Sequence, residues 1–234
     1  MALQLDRVVP WGRSLADYRE MFALRDADLQ ANIIDCASGP SSFNAELTAM
    51  TAMTGNCGRV TSCDPVYEFD AGQIRGRIDA TLPVIVETLE KTREKFVWGA
   101  IATPQDLAEV RLAAMEKFLA DFPEGLKAQR YRTDALPELS FADRQFDLAL
   151  SAHLLFTYSA QFDTEFHIAA TLEMLRVARE VRIFPLLTNF TNEISPHLQP
   201  VLDALTERGF APTIERVPYE FQIGGNEMLR VIAA

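Results

Sequence analysis

The stretch Asn32-Ile33-Ile34-Asp35-Cys36-Ala37-Ser38-Gly39-Pro40-Ser41-Ser42-Phe43 runs from a short apolar segment ending on an acid, through a loop of small residues, into a helix start. Loops of this kind let an α/β domain bring bare backbone against a nucleotide-like ligand. A dinucleotide fingerprint carries three glycines; this loop carries only Gly39. The chemistry it suits is recognition of a ligand with an adenosine end and no pyrophosphate. Two further acids close β-like runs, Asp64 after Gly58-Arg59-Val60-Thr61-Ser62-Cys63 and Asp134 after residues 128–132.

These groups need a sheet to position them. Short β-like runs alternate with longer helical ones, which indicates a mostly parallel sheet covered on both faces. Ser14 can cap a first helix with Leu15, Tyr18, Met21 and Phe22 on one face. Strand one is expected at Asn32–Cys36, followed by a helix over residues 43–53, with Pro40 suited to its start. Strand two is expected over residues 58–63. Residues 66–126 form a long helical insertion before strand three, with Ile85, Leu89, Thr92 and Phe96, then Leu112, Met115 and Leu119, at helical spacing. Gly99 and Pro123-Glu124-Gly125 are expected to stop its helices. Such an insertion, leaving the carboxyl end of the sheet, is placed to serve as a lid, a scaffold or a dimer surface. Strand four is expected at residues 146–151, then a helix carrying Phe162, Phe166, Ala169, Leu172 and Leu175, strand five at 181–187 and a helix at 196–208. The runs 213–223 and 227–232 flank Gly224-Gly225, a hairpin signal. Residues 1–234 are read as one domain.

Composition limits the partners. The formal net charge is −11, from 22 basic and 33 acidic residues, which argues against a long nucleic acid or an anionic membrane surface as partner. No transmembrane run or secretory signal is legible, and a cytoplasmic location is expected. Cys36, Cys57 and Cys63 read as small reduced thiols, the first and last at the ends of neighbouring strands. His153, His167 and His197 have no ligand spacing, so no metal site is expected.

In order along the chain, Asp35-Cys36-Ala37-Ser38-Gly39-Pro40-Ser41, Asp64, Asp134 and Leu136-Pro137…Phe141-Ala142-Asp143-Arg144-Gln145-Phe146-Asp147 resemble the class I S-adenosylmethionine-dependent methyltransferases over nearly the full length. Ala37 and Ser41 stand where that family places glycines. The resemblance implies a Rossmann-like, doubly wound, mostly parallel seven-stranded sheet with an antiparallel C-terminal hairpin strand. It implies S-adenosyl-L-methionine as cofactor, S-adenosyl-L-homocysteine as product and a small-molecule methyl acceptor.

By the same resemblance, Asp64 holds the ribose hydroxyls and Asp134 accepts from the adenine amino group, with Pro65, Val66 and Ala135 about the ring. Asp35 and the backbone of Ala37, Ser38 and Gly39 take the methionyl amine. Arg13 is the candidate for the methionyl carboxylate, its alternative being an exposed salt-bridging arginine, and Ser151, at the end of strand four, is a further expected cofactor contact. The alternative for each strand-end acid is a helix cap or a water-facing carboxylate. His153 is the candidate base or orienting group, with Tyr158, Asn189 and Tyr219 near the same rim and Phe156, Trp98 and Phe190 as candidate pocket walls. Sequences for DNA-base methylation are missing. The rival readings are a protein that binds the cofactor without turnover and a nicotinamide-dependent oxidoreductase, the latter disfavoured by the solitary Gly39.

Overall fold

A computed structural model describes residues 9–55, 58–99 and 101–233; Cys57 and the N-terminal residues 1–8 lie outside them. Seven strands form one sheet: β1 (Asn32–Cys36), β2 (Arg59–Cys63), β3 (Tyr131–Arg132), β4 (Phe146–Ala152), β5 (Ala178–Phe184), β6 (Thr213–Arg216) and β7 (Glu227–Ile232). Their order is β3-β2-β1-β4-β5-β7-β6, parallel except for β7, which is antiparallel to β5 and β6. This is the Rossmann-like sheet that the resemblance implies. The chain leaves β1 towards β2 on one side and runs from β4 to β5 on the other, so the order reverses between β1 and β4. Ligands of open α/β sheets bind at such a reversal, outside the carboxyl ends of the strands.

Register brings the chemistry to that edge. Cys36 is level with Cys63 on β2 and with Ser151 on β4, and Cys63 with Arg132 on β3. The residues that follow each strand therefore emerge side by side. Cys36 and Cys63 are buried free thiols. Successive β1 side chains serve opposite faces: Ile34 joins a core with Ala149, Met174 and Val181, and Ile33 one with Phe22, Leu47 and Leu148. Burying an aliphatic side chain fully is worth about 1.5–3 kcal/mol, which fixes this register against a slip of one residue.

Among the described residues the α-helices are α1 (Leu15–Met21), α2 (Phe43–Thr54), α3 (Ala71–Lys91), α4 (Pro104–Lys127), α5 (Thr164–Val177) and α6 (Leu198–Glu207). Ser14 caps α1 in a reciprocal box with Asp17. Helix α2 starts at Phe43, as expected, behind Ser42 and three residues after Pro40. Other boundaries differ from the sequence expectations. Helix α3 ends at Lys91, well before Gly99. Pro123-Glu124-Gly125 lies inside α4, because Phe118 and Phe122 pack on Tyr67 and Tyr131 and hold that last turn in place. Gly125 serves contact rather than termination: a Cβ there would come within 2.2 Å of the Tyr131 ring. Residues 128–130 close α4, which shortens β3.

Strand β5 spans Ala178–Phe184, ahead of Pro185, and Phe162 precedes α5, which Asp163 caps. The Gly224-Gly225 turn belongs to a longer connection between β6 and β7, not to a two-residue hairpin loop. That connection carries Tyr219 and Phe221 up to the ligand-binding edge. Among the described residues no helix is long and apolar enough to cross a membrane.

Candidate active site

A cavity of about 760 Å³ opens at the carboxyl edge of the sheet. Pockets for one small ligand span about 300 to about 1,000 Å³, so this one has room for a cofactor and part of a second molecule. Ala37, Ser38, Gly39, Asp64, Pro65, Ala135 and His153 all line it.

The first loop is held open by its own contacts. Ser38 N–H donates to the Cys63 carbonyl at 3.3 Å, and Gly39 N–H donates to Asp64 Oδ2 at 2.9 Å. Asp64 Oδ1 accepts from Val66 N–H at 2.8 Å, capping the short 3-10 turn Pro65–Glu68. Asp64 is thus a helix cap and a loop tether together, with its carboxylate at the cavity wall. Burial pushes its pKa up, while the two backbone donors pull it down. The Tyr67 hydroxyl donates to the Gly39 carbonyl at 2.6 Å and lies 2.5 Å from Ser38 Oγ.

Ala37 takes φ of +57° and Gly39 φ of +52°. Ala37 therefore keeps a left-handed backbone without a glycine, at a cost of about 1 kcal/mol. Ala37→Gly is expected to stabilise the fold by about 0.5–1 kcal/mol, read as a rise of a few degrees in thermal midpoint; a fall would refute the strain.

Arg13 is delivered by close packing of the N-terminal segment on this loop. A Cβ on Gly12 would lie 2.3 Å from the Pro40 carbonyl oxygen, so only glycine allows the approach. Ser41 Oγ and Ser42 N–H donate to the Arg13 carbonyl at 2.7 and 3.0 Å. Ser41, one of the two departures from the glycine pattern, is what seats Arg13. The guanidinium is buried on the cavity wall and donates from Nη1 to the Trp11 carbonyl at 2.7 Å, while Nε has no partner. The nearby acid, Asp17, is bonded instead to Arg111 Nη1 at 2.8 Å. Burial, and then Arg111, lower the pKa of Arg13, though a guanidinium remains charged in a protein. A buried cation without a salt bridge is an anion site in waiting.

Three expected cofactor residues do not line the cavity. Asp35 is 0% exposed, and both its oxygens accept from the Tyr18 hydroxyl at 3.1 and 3.0 Å. Tyr18, not Asp35, faces the ligand space. Asp134 accepts from Ser140 N–H at 2.8 Å and pairs with Arg132 at 3.4 Å, so its carboxylate is turned to its own loop. Ser151 is buried in the sheet with an unpartnered hydroxyl.

Burial raises the Asp35 pKa well above the carboxylate range. The folded state then keeps a proton that the unfolded chain releases near pH 3.9. Its stabilising share is complete below that pH and is lost as pH rises through the folded value. Neutral Asp35→Asn is therefore expected to gain stability over the native chain between pH 4 and pH 8, by chemical denaturation at each pH. A constant difference would contradict an uncharged Asp35.

His153 follows β4 with φ of +58°, its N–H donating to the Phe184 carbonyl at 2.7 Å and its Nδ1 unpartnered. Burial, then the charges of Arg13 and Arg111, push its pKa well below the usual value, so the imidazole is neutral. The Tyr158 hydroxyl accepts from Val9 N–H at 3.2 Å. Tyr158, Asn189, Phe190 and Tyr219 line the cavity, whereas Phe156 stacks on His167 in the core and Trp98 lies outside the lining.

Sequence reasoning missed Tyr18, Tyr67 and Arg111. Arg111 had a signal: it falls on the buried stripe Leu107, Ala108, Ala114, Met115 and Phe118 of α4, where a charge is costly unless it has work to do. Among the described residues, no group of three or more His, Cys, Asp or Glu could hold a metal ion.

No protein-family model matches the chain. Over 230 residues it is 31% identical to the uncharacterized protein MJ0045 of Methanocaldococcus jannaschii, covering 97% of each chain. The chain belongs to the MJ0045 family. This member of the MJ0045 family also resembles solved structures at low identity. A SAM-dependent methyltransferase from Aquifex aeolicus is 14% identical, covering 93% of this chain and 92% of that one with a TM-score of 0.43. Magnesium protoporphyrin IX methyltransferase from Synechocystis PCC 6803, solved with bound SAH, is 12% identical, covering 89% and 77% with a TM-score of 0.44.

Proposed function

We propose that the protein is an S-adenosylmethionine-dependent methyltransferase acting on a small-molecule acceptor. The observation that carries this reading is the buried Arg13, which has no salt bridge among the described residues and is held across the first loop from Asp64. An amino-acid carboxylate suits the first and a vicinal diol the second. One loop with two left-handed residues separates them, with no second glycine turn for a pyrophosphate.

In this assignment Asp64 accepts from the ribose hydroxyls through lone pairs that its backbone donors leave free. Pro65, Val66 and Ala135 flank the adenine, and the backbone beyond Asp134, rather than its carboxylate, meets the base. The methionyl ammonium donates to the Tyr18 oxygen, whose own proton is committed to Asp35 behind it. The bound cofactor supplies a methyl group on a positively charged sulfur. The chain's part is to hold acceptor and methyl in line, the source of much of the acceleration in such a transfer. His153, neutral and with Nδ1 free, orients the acceptor by hydrogen bonding; Tyr158 supports the same rim. The C-terminal half of α3 serves as a lid.

Thermal shift with S-adenosylmethionine, S-adenosylhomocysteine, NAD and NADP in parallel tests the reading. At one hundred times its dissociation constant, either sulfur ligand is expected to stabilise the fold by about 2.7 kcal/mol. A shift with NAD or NADP alone would overturn it.

A further inference from the structure

Past the proposed cofactor end, the cavity continues into a chamber walled by α3, Phe96, α4 and the connection before β7. Ile85, Leu89, Phe96 and Leu107 form a buried apolar cluster, with Phe190 and Phe221 packed on it. Phe96 stacks on Phe221 with ring centroids 4.8 Å apart and meets Phe190 edge-on at 6.1 Å. Such a wall offers an incoming ring both faces and edges, the arrangements aromatic pairs favour.

The cavity lining is cationic on balance: among the described residues, Arg13, Arg77 and Arg111 line it against Asp64 and Glu68. This polarity is local, since the whole chain carries −11. Arg111 is 1% exposed. Its Nη2 donates to the Tyr219 hydroxyl at 2.9 Å, and its Nε has no partner. Having accepted from Arg111, Tyr219 keeps its own proton to donate into the chamber. Thr157 Oγ1 and His153 Nδ1, on the same wall, are also without partners.

We propose that the methyl acceptor is an aromatic acid, its ring seated against Phe96, Phe190 and Phe221 and its ionised oxygen bound by Tyr219 and Arg111. This rests on the cofactor assignment above. Arg13 meets the methionyl carboxylate and Arg111 meets Asp17, while Arg77 and the methionyl ammonium are offset in number by Asp64 and Glu68. The sulfonium charge is then unmatched, and neutral His153 adds nothing to offset it. An acidic oxygen completes the balance, and an aromatic compound bearing a protonated alkylamine would bury a further positive charge instead. An oxygen that arrives ionised has no proton to lose, which suits a site whose histidine resists protonation.

The test is calorimetric titration of the full chain, saturated with S-adenosylhomocysteine, using benzoate, salicylate and naphthoate against benzamide, salicylamide and naphthamide. At least one anion is expected to bind about tenfold or more tightly than its amide. Tyr219→Phe, which removes one hydroxyl only, and Arg111→Lys are each expected to reduce anion binding by about tenfold, leaving S-adenosylhomocysteine affinity unchanged. If S-adenosylhomocysteine binds and the amides match the anions, or no anion binds, the aromatic-acid assignment fails while the cofactor reading stands. Failure of S-adenosylhomocysteine itself to bind overturns both.

Discussion

Asp64→Ala is expected to weaken S-adenosylmethionine binding by about 3 kcal/mol, roughly a hundredfold in dissociation constant. Two losses combine. The ribose hydroxyls lose a carboxylate acceptor, and hydrogen bonds to a carboxylate in its charged form contribute about 1.5–3 kcal/mol. Gly39 N–H loses the carboxylate that fixes the loop, and Val66 N–H loses its cap. Removing a cap costs about 1 kcal/mol of stability on its own, so the variant is also expected to melt a few degrees lower. Calorimetric titration gives the affinity and differential scanning gives the stability. Native affinity in a folded Asp64→Ala protein would remove Asp64 from the ligand site.

Arg13→Met separates affinity from stability in a way the first variant does not. The loop holds Arg13 by its carbonyl, through Ser41 and Ser42, so the backbone stays seated when the guanidinium is removed. Methionine keeps the apolar stem and eliminates a buried cation that has no carboxylate of its own. The fold is expected to be unchanged or slightly more stable, while S-adenosylmethionine affinity falls by about 1.5–3 kcal/mol through loss of a charge-assisted bond. Titration with adenosine is the control: it has no carboxylate, and its affinity is expected to be the same for native and variant protein. Equal loss of adenosine binding would mean that Arg13 supports the loop rather than the methionyl end.

The central strands were legible because Ile33-Ile34 of β1 and Leu148-Ala149-Leu150 of β4 are short buried apolar runs, with Asp35 next to the end of β1 and Asp64 just past β2. Ser14 was legible as a cap because a hydroxyl ahead of an apolar helical pattern has few other uses. Helix ends in the insertion were not, since Pro123 and Gly125 are ordinarily stop signals; the aromatic cluster of Tyr67, Phe118, Phe122 and Tyr131 that overrides them comes together only in three dimensions. The same limit hid the site's second layer. Nothing near Asp35 in sequence shows that Tyr18, seventeen residues earlier, covers it, or that Ser140 claims Asp134. The turn signal at Gly224-Gly225 was real, but its position could not reveal that the preceding segment turns away from the sheet to bring Tyr219 and Phe221 over the cavity.

Crystals grown with S-adenosylhomocysteine test the cofactor assignment most directly. The expected density places the amino-acid carboxylate within about 3 Å of the Arg13 guanidinium, the ribose hydroxyls on Asp64, and the sulfur facing His153. Density for that ligand anywhere else, or in this cavity with its carboxylate pointing away from Arg13, would contradict the account.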